Sequence, residues 1–359
     1  MPQSLYLPIL ELRPAEMLAL GELPNKDKDA VVPLFRLRPW GASLQLEKSI
    51  ERLHRSFGTR RAFLEVGEAE YVEPSKRRPV HASLDQLRSP QDGYRQWYEY
   101  LRAEKHAHFI PSVQTGGPLQ DFYAQIERLY SLDRGLLMRL DSPTELAMSA
   151  AAQAVAQRTN GGVGVTLVLD YGKQDARFIA MEPAIKSLIT IASDACKKAT
   201  IAVSASSFPD GFTSITKQEI YERALFDRLK KASVDALMYS DRGGARAEKQ
   251  LGGGGLPAPR IDYAKKTSWH FYRQDIPLLT AFDGYQAQAI AVMNDQTVWD
   301  KGLKLWACQM IEKTAAGDSE GGISSPNRST AARINLHLHR QIFYDDEVSF
   351  MDTDEAWTD

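Results

Sequence analysis

Short apolar runs alternate with amphipathic helical stretches over the first 240 residues, which predicts an α/β fold: a (β/α)8 barrel of the TIM type with an α-rich C-terminal extension. Three observations carry that prediction. Residues 162–172 (GVGVTLVLDYG) are apolar along most of their length and end in a carboxylate, an aromatic ring and a glycine, as a strand buried on both faces of a parallel sheet requires. The same form of apolar run, terminal polar residue, turn and helix recurs until eight strands and seven helical segments can be read. The span they occupy is the size of such a barrel. An open doubly wound sheet shares the alternation, and the strand count favours the barrel.

In chain order, residues 5–10 (LYLPIL) are strand one, and Ala15, Leu18 and Leu23 form the apolar stripe of a helix stopped by Pro24. Residues 31–37 (VVPLFRL) are strand two, followed by a helix on Leu46, Ile50, Leu53 and Phe57 that Gly58 ends. Residues 62–66 (AFLEV) are strand three; the polar excursion over 74–90 reads as a surface loop before a helix that packs through Tyr94, Trp97, Tyr98 and Leu101. Strand four, 109–113, stops at Gln114 and the Gly116-Gly117 turn, and strand five is 136–140. Ser142, Pro143, Thr144 and Glu145 then combine capping side chains, a proline and a carboxylate near the positive helix end. After strand six, a helix on Ile185, Leu188 and Ile189 leads to strand seven, 200–205 (TIAVSA), and Thr216 stands three before Glu219 at capping-box spacing. Strand eight is 234–239.

Residues 1–241 thus make the barrel, and 242–259, with GGGG and two prolines, read as a flexible loop. Residues 260–359 read as an extension packing on the barrel. Within it, RIDYAKKTSWHFYR (260–273) suits a hairpin or a strand laid over the barrel, helical patterns follow around 285–293, 298–311 and 329–343, and 345–359 make an acidic, frayed tail.

Composition excludes several classes. The 44 basic and 46 acidic residues leave a formal charge of −2, so no global footprint for nucleic acid or an anionic membrane exists, although a local patch is compatible with it. Cys196 and Cys308 are distant and lie in no paired motif, which argues against a disulfide framework or a cysteine zinc site and fits a reducing cytoplasm. The first residues lack the pattern of an export signal and no apolar run approaches the ~20 residues of a membrane span, so neither export nor membrane insertion is expected. Oligomeric state is not encoded in these patterns.

Candidate functional residues come from strand parity, because alternate side chains share a face and the outer face of a barrel must meet apolar helices. Thr200, Ala202, Ser204 and Ser206 share the lumen parity; so do Thr166, Val168 and Asp170, and so do Arg139 and Asp141. Glu11, Arg38, Glu65, Gln114 and Asp241 also lie at strand ends, and all these ends should converge on the rim where barrel sites are built. Glu65, Asp141, Asp170 and Asp241 are the candidate acids, bases or ligands of a divalent ion. Glu11, Arg38, Gln114, Arg139, Ser204 and Ser206 are candidates for ligand binding, with Arg260 and Tyr263 from the extension. The alternative for the same set is a closed salt-bridge network that plugs the barrel top. No organic cofactor is indicated: GGVG (161–164) precedes a strand, and GGGG (252–255) lacks the lysine of a phosphate loop. His337 and His339 stand two apart, not at the spacing of a helical metal pair, and read as surface histidines. Ser206 and Ser207 have no activating histidine at a strand end, which makes a serine hydrolase a poor fit.

LYLPILELRPAEMLAL, VVPLFRLRP, LVLDYG, SASSFP and RIDYAKKTSWHFYR together resemble the beta family of phage and bacterial proteins, over nearly the whole chain. The resemblance implies an immunity or antitoxin-like role in phage–host conflict, since the founding phage protein is known for keeping a companion phage protein from killing the host. It implies a protein partner and no established enzyme activity. Two expectations follow: a partner-binding immunity factor, or a barrel hydrolase or phosphodiesterase acting on a small anionic ligand at the rim. Fold alone cannot choose between them. A filled lumen with Arg139 and Asp141 paired to each other would favour the binder.

Overall fold

The computed structural model describes residues 6–212, 214–231, 237–247, 258–273 and 280–353. Its strands are β1 (Leu7–Glu11), β2 (Leu34–Leu37), β3 (Ala62–Val66), β4 (Phe109–Val113), β5 (Leu136–Asp141), β6 (Val165–Lys173), β7 (Thr200–Ser206), β8 (Lys217–Glu219), β9 (Leu237–Asp241), β10 (Arg260–Ala264) and β11 (Ser268–Arg273). Seven of the first eight, β1 to β7, pair in parallel with their neighbours, and β9 closes the barrel by pairing with both β7 and β1. The expected eight-stranded (β/α)8 architecture is present, with helices around the barrel and further helices in the C-terminal part.

Alternation along the strands sorts two cores. Leu7, Ile9, Leu34, Phe63, Ile110, Leu137, Val168 and Ala202 make one buried cluster that fills the lumen. Their neighbours in sequence, such as Leu10, Phe35, Leu64, Met138, Leu167 and Val203, belong to a second, larger cluster between strands and helices. The parity assigned to Val168 and Ala202 is therefore correct, and it carries Asp170, Ser204 and Arg139 to the lumen side of the C-terminal rim.

The C-terminal part begins with the hairpin β10–β11, to which β8 adds as a third antiparallel strand. Thr216 therefore precedes a strand and not a helix; the helix starts at Tyr221, and the capping-box spacing was coincidental. The excursion after β3 is likewise not a bare loop, because Pro79–Arg88 is helical and buries Val80, Leu84 and Leu87. Residues 242–245 of the expected flexible loop are buried, while 248–257, with the GGGG run, lie outside the described residues. Gly244 shows why a glycine stands there: its φ is +77°, and a Cβ would come within 2.7 Å of the Trp269 ring and 3.0 Å of His337.

The helix Pro326–Ile342, started by Ser325 accepting from Arg328 N at 3.3 Å, runs through the middle of the assembly and is buried along nearly all its length. It packs on the first barrel helix, Pro14–Gly21, and on β10. His337 and His339 sit on it fully buried, which corrects the surface reading: NLHLH is the inside of a helix wrapped by protein on all sides. The acidic end contains the short helix Glu347–Met351, whose Phe350 is buried against the His339 ring; residues 354–359 lie outside the described ones.

Candidate functional site

Arg36 on β2, Arg139 on β5 and Arg242 just after β9 are the positive groups around which the rim is built. Arg139 is bidentate to Glu65, with Nε and Nη2 at 2.9 and 2.8 Å from the two carboxylate oxygens. Its remaining nitrogen donates to Asp170 at 2.9 Å and also to Asp141. Asp170 accepts from Arg242 at 2.5 Å through the same oxygen, and its other oxygen accepts from the Gly172 N–H at 3.1 Å. Arg36 donates to Glu11 and Glu68, each at 2.7 Å, and approaches Glu65 at 3.5 Å. Arg38 completes the line, bonded to Glu11 at 3.2 Å and to Glu70. The result is a continuous alternation of sign, Glu70, Arg38, Glu11, Arg36, Glu65, Arg139, Asp170, Arg242, laid across the barrel mouth.

Electrostatics follow from that order. Burial pushes the Glu11 carboxyl up, but Arg36, Arg13 and Arg38 together outweigh it and hold the group below its ordinary value. Burial would also weaken the Arg139 cation; Glu65, Asp170 and Asp141 reverse this and fix the positive charge. Glu16 behaves oppositely, being pushed up to about 8 by burial although Arg13 partly offsets it, so it stands largely protonated at neutral pH beside the Glu11 backbone N–H. Below the charged layer, the hydroxyls of Ser112, Ser204 and Ser240 are buried with no hydrogen-bond partner among the described residues.

Over the rim opens a cleft of about 1140 Å³, bounded by residues 67–88 on one side and by Arg246, Arg260, Arg333 and their neighbours on the other. Ten arginine and lysine side chains line it against five carboxylates. A chain whose overall charge is −2 has thus gathered an excess of positive charge in one concave place.

The candidate residues divide accordingly. Glu11, Arg38, Glu65, Arg139, Asp141 and Asp170 meet in one network, and Arg260 lines the cleft beside it. Ser204 and Ser206 face the lumen side, with Ser206 donating to the Ala245 carbonyl at 2.9 Å. Gln114 is spent elsewhere, donating to the Leu87 carbonyl at 2.8 Å and exchanging bonds with Gln125. Asp241 does not reach the rim. Its parity is opposite to that of Ser240's neighbours in the lumen, so it points into the seam between barrel and extension, 2.6 Å from His337 Nε2 and 2.9 Å from the Tyr239 hydroxyl, with Tyr6 as a further donor. Tyr263 also fails as a ligand contact, being fully buried with its hydroxyl 3.1 Å from Asp300 and 3.7 Å from Cys308.

Sequence reading passed over Arg36 and Arg242. Both were reachable by its own rule: Arg36 shares the parity of Leu34, and Arg242 continues Met238 and Ser240 past the strand end. Glu68, Glu70, Arg246 and Arg333 come from loops and a distant helix, where no periodicity points at the rim. Among the described residues no group of three or more His, Cys, Asp or Glu side chains is placed to hold a metal ion, and no helix is long and apolar enough to cross a membrane.

Fold and rim together define a closed (β/α)8 barrel whose mouth carries an ion-pair network under a basic cleft. The chain belongs to the Beta protein family, whose model matches residues 6–343. It is similar to Protein beta of Enterobacteria phage P4, with 26% identity over 361 residues covering 98% of this chain and 96% of that protein.

Proposed function

We propose that this chain is an immunity-type protein that acts by binding a protein partner, with the barrel as its scaffold. The observation that supports this reading is the state of the rim carboxylates. Glu65 and Asp170, which a hydrolase would need as a free acid or base, are each committed to arginines, Glu65 to the Nε–Nη2 edge of Arg139 and Asp170 to Nη1 of Arg139 and to Arg242. A carboxylate whose oxygens are held by guanidinium donors is not free to be aimed at a substrate proton. The filled lumen below leaves such a network the part of a rigid plug. Family resemblance adds the expectation of protection against a companion killing protein.

Co-expression tests it. Cells carrying the companion killing protein should survive when this chain is present, and survival should persist with Asp141→Asn, whose side chain is two-thirds exposed, and with Asp141→Asn combined with Asp170→Asn. Both substitutions keep side-chain volume while removing the charge that acid–base or metal work would use. Abolished protection at an unchanged thermal midpoint for the single variant would instead establish the hydrolase or phosphodiesterase reading.

A further inference from the structure

Three arginines on one wall of the cleft stand apart from the balanced rim. Arg260 and Arg333 both donate to the same oxygen of Asp262, each at 2.9 Å. Arg246 donates to the carbonyls of Pro209 and Asp210 at 3.2 and 3.0 Å and lies 3.9 Å from the Asp210 carboxylate. Two phenyl rings carry all three: Arg260 sits 3.4 Å from the centre of Phe212, Arg333 3.8 Å from that of Phe208, and Arg246 5.5 Å from that of Phe212. Stacking on rings fixes guanidinium planes while leaving their edges able to donate in pairs. Burial brings the Arg333 cation down to about 10, with Arg260 and Arg246 adding to that effect and Asp262 opposing it.

We propose that the Arg246, Arg260 and Arg333 cluster, with the cleft it borders, is a binding site for a phosphate-bearing small molecule. Like charges held together this way are costly unless a counter-anion joins them, and a tetrahedral dianion matches the paired donors of guanidinium better than a single carboxylate does. Position supports the same ligand. Phe208 and Pro209 follow β7 and Arg246 follows β9, the seventh and eighth barrel strands, and the loops after those two strands are where barrels commonly cradle phosphate. Shape separates it from a protein surface: the site is a concavity of about 1140 Å³, of the size that encloses small ligands. Arg13, Arg38, Arg78 and Arg88 on the facing walls supply charge for a second anionic group. The inference stands independently of the immunity reading, since a bound metabolite is compatible with either a binder or an enzyme.

Calorimetric titration of the full chain with sodium pyrophosphate, and separately with ATP, tests it. Saturable one-to-one binding of at least one probe is expected, weakened roughly tenfold by Arg246→Gln and by Arg260→Gln, as loss of a charge-assisted hydrogen bond should do. Both side chains are partly exposed, so thermal midpoints should hold, and Arg60→Gln at the opposite end of the barrel should bind as the parent does. The proposal is overturned by absence of binding to both probes, by equal affinity in the Arg246 and Arg260 variants, or by binding confined to oligonucleotides or acidic peptides used as competitors. Protection in cells is read separately, so its failure leaves this result untouched and the reverse also holds.

Discussion

Asp241 and Arg242 are adjacent in sequence and belong to different machines. Arg242 faces the lumen and ends the rim network on Asp170, whereas Asp241 faces the helix Pro326–Ile342 and is enclosed by His337, Tyr6, Tyr239 and the Gly243 N–H. The rim is wet on one side: the side chains of Glu68, Glu70 and Asp141 are 72%, 55% and 67% exposed. The seam is dry, with Asp241, His337, Asp27 and His339 all at 1% or less. Both use carboxylates facing cations or donors, yet only the rim can recruit water and ions when a partner is removed. In the seam a lost partner leaves a bare polar group with nothing to replace it.

The largest expected effect therefore lies in the seam. Asp241→Ala removes the acceptor of two tyrosine hydroxyls, a backbone N–H and a histidine at once, and should cost roughly 3–5 kcal/mol in urea unfolding. Asp241→Asn should recover part of it. A cost under about 1 kcal/mol for Asp241→Ala would erase the distinction between seam and rim. At the rim, Asp170→Ala leaves Arg242, whose side chain is 9% exposed, without the carboxylate of that pair, whereas Arg139 keeps Glu65 and Asp141, so a loss somewhat below that of Asp241→Ala, about 2–4 kcal/mol, is expected by the same measurement. Should Asp170→Ala prove the more damaging of the two, the rim would be the true keystone.

How far each region could be read from sequence follows from the same contrast. Barrel and rim are made of local periodicity: β3 and β4 have the ends expected, and alternation along β6 and β7 put Asp170 and Ser204 on the correct face. The seam arises from pairings far apart in the chain, Asp27 with His339 across 312 residues and Asp241 with His337 across 96. A helix buried all round, with arginines, histidines and an asparagine each answered by a distant partner, carries no amphipathic stripe. That is why NLHLH looked like surface. Counting Asp241 as a strand-end residue was right, but its parity, opposite to Ser240 and Arg242, was the information that mattered.

Acid titration separates Glu16 and Glu222 from Asp241 by sign. Burial raises Glu16 to about 8 and Glu222 to about 7, the latter beside Ser207 and Asp241. A buried acid with a raised folded pKa stabilises fully below its unfolded value, near 4.3, and this contribution is lost as pH rises through the folded value. Asp241 is the opposite case: burial raises it, His337 and the other donors outweigh that, and its contribution is present above the unfolded value and lost in acid. Unfolding free energy should thus fall between about pH 5 and pH 8, and Glu16→Gln should flatten that slope while leaving the acid limb unchanged. An unchanged slope in the variant would mean that Glu16 is ionised in the folded chain.

The smallest expected effect on stability is also the one that ties the rim to its cleft. Glu68 reaches Arg36 at 2.7 Å and Arg139 at 3.7 Å, but most of its side chain is in solvent, and Arg36 keeps Glu11 and Arg139 keeps Glu65 when it is gone. An exposed ion pair of this kind contributes little, so Glu68→Gln should shift unfolding by no more than about 0.5 kcal/mol. Yet Glu68 is one of the five carboxylates lining a cleft with twice as many cations. Its charge repels an incoming anion through partly screened water, and neutralising it should tighten pyrophosphate binding by roughly two- to fivefold at low salt, with the gain shrinking as the Debye length falls. Weaker binding in Glu68→Gln would mean that this carboxylate organises the arginines and does not merely oppose the ligand, and the rim and the cleft would then have to be treated as one network.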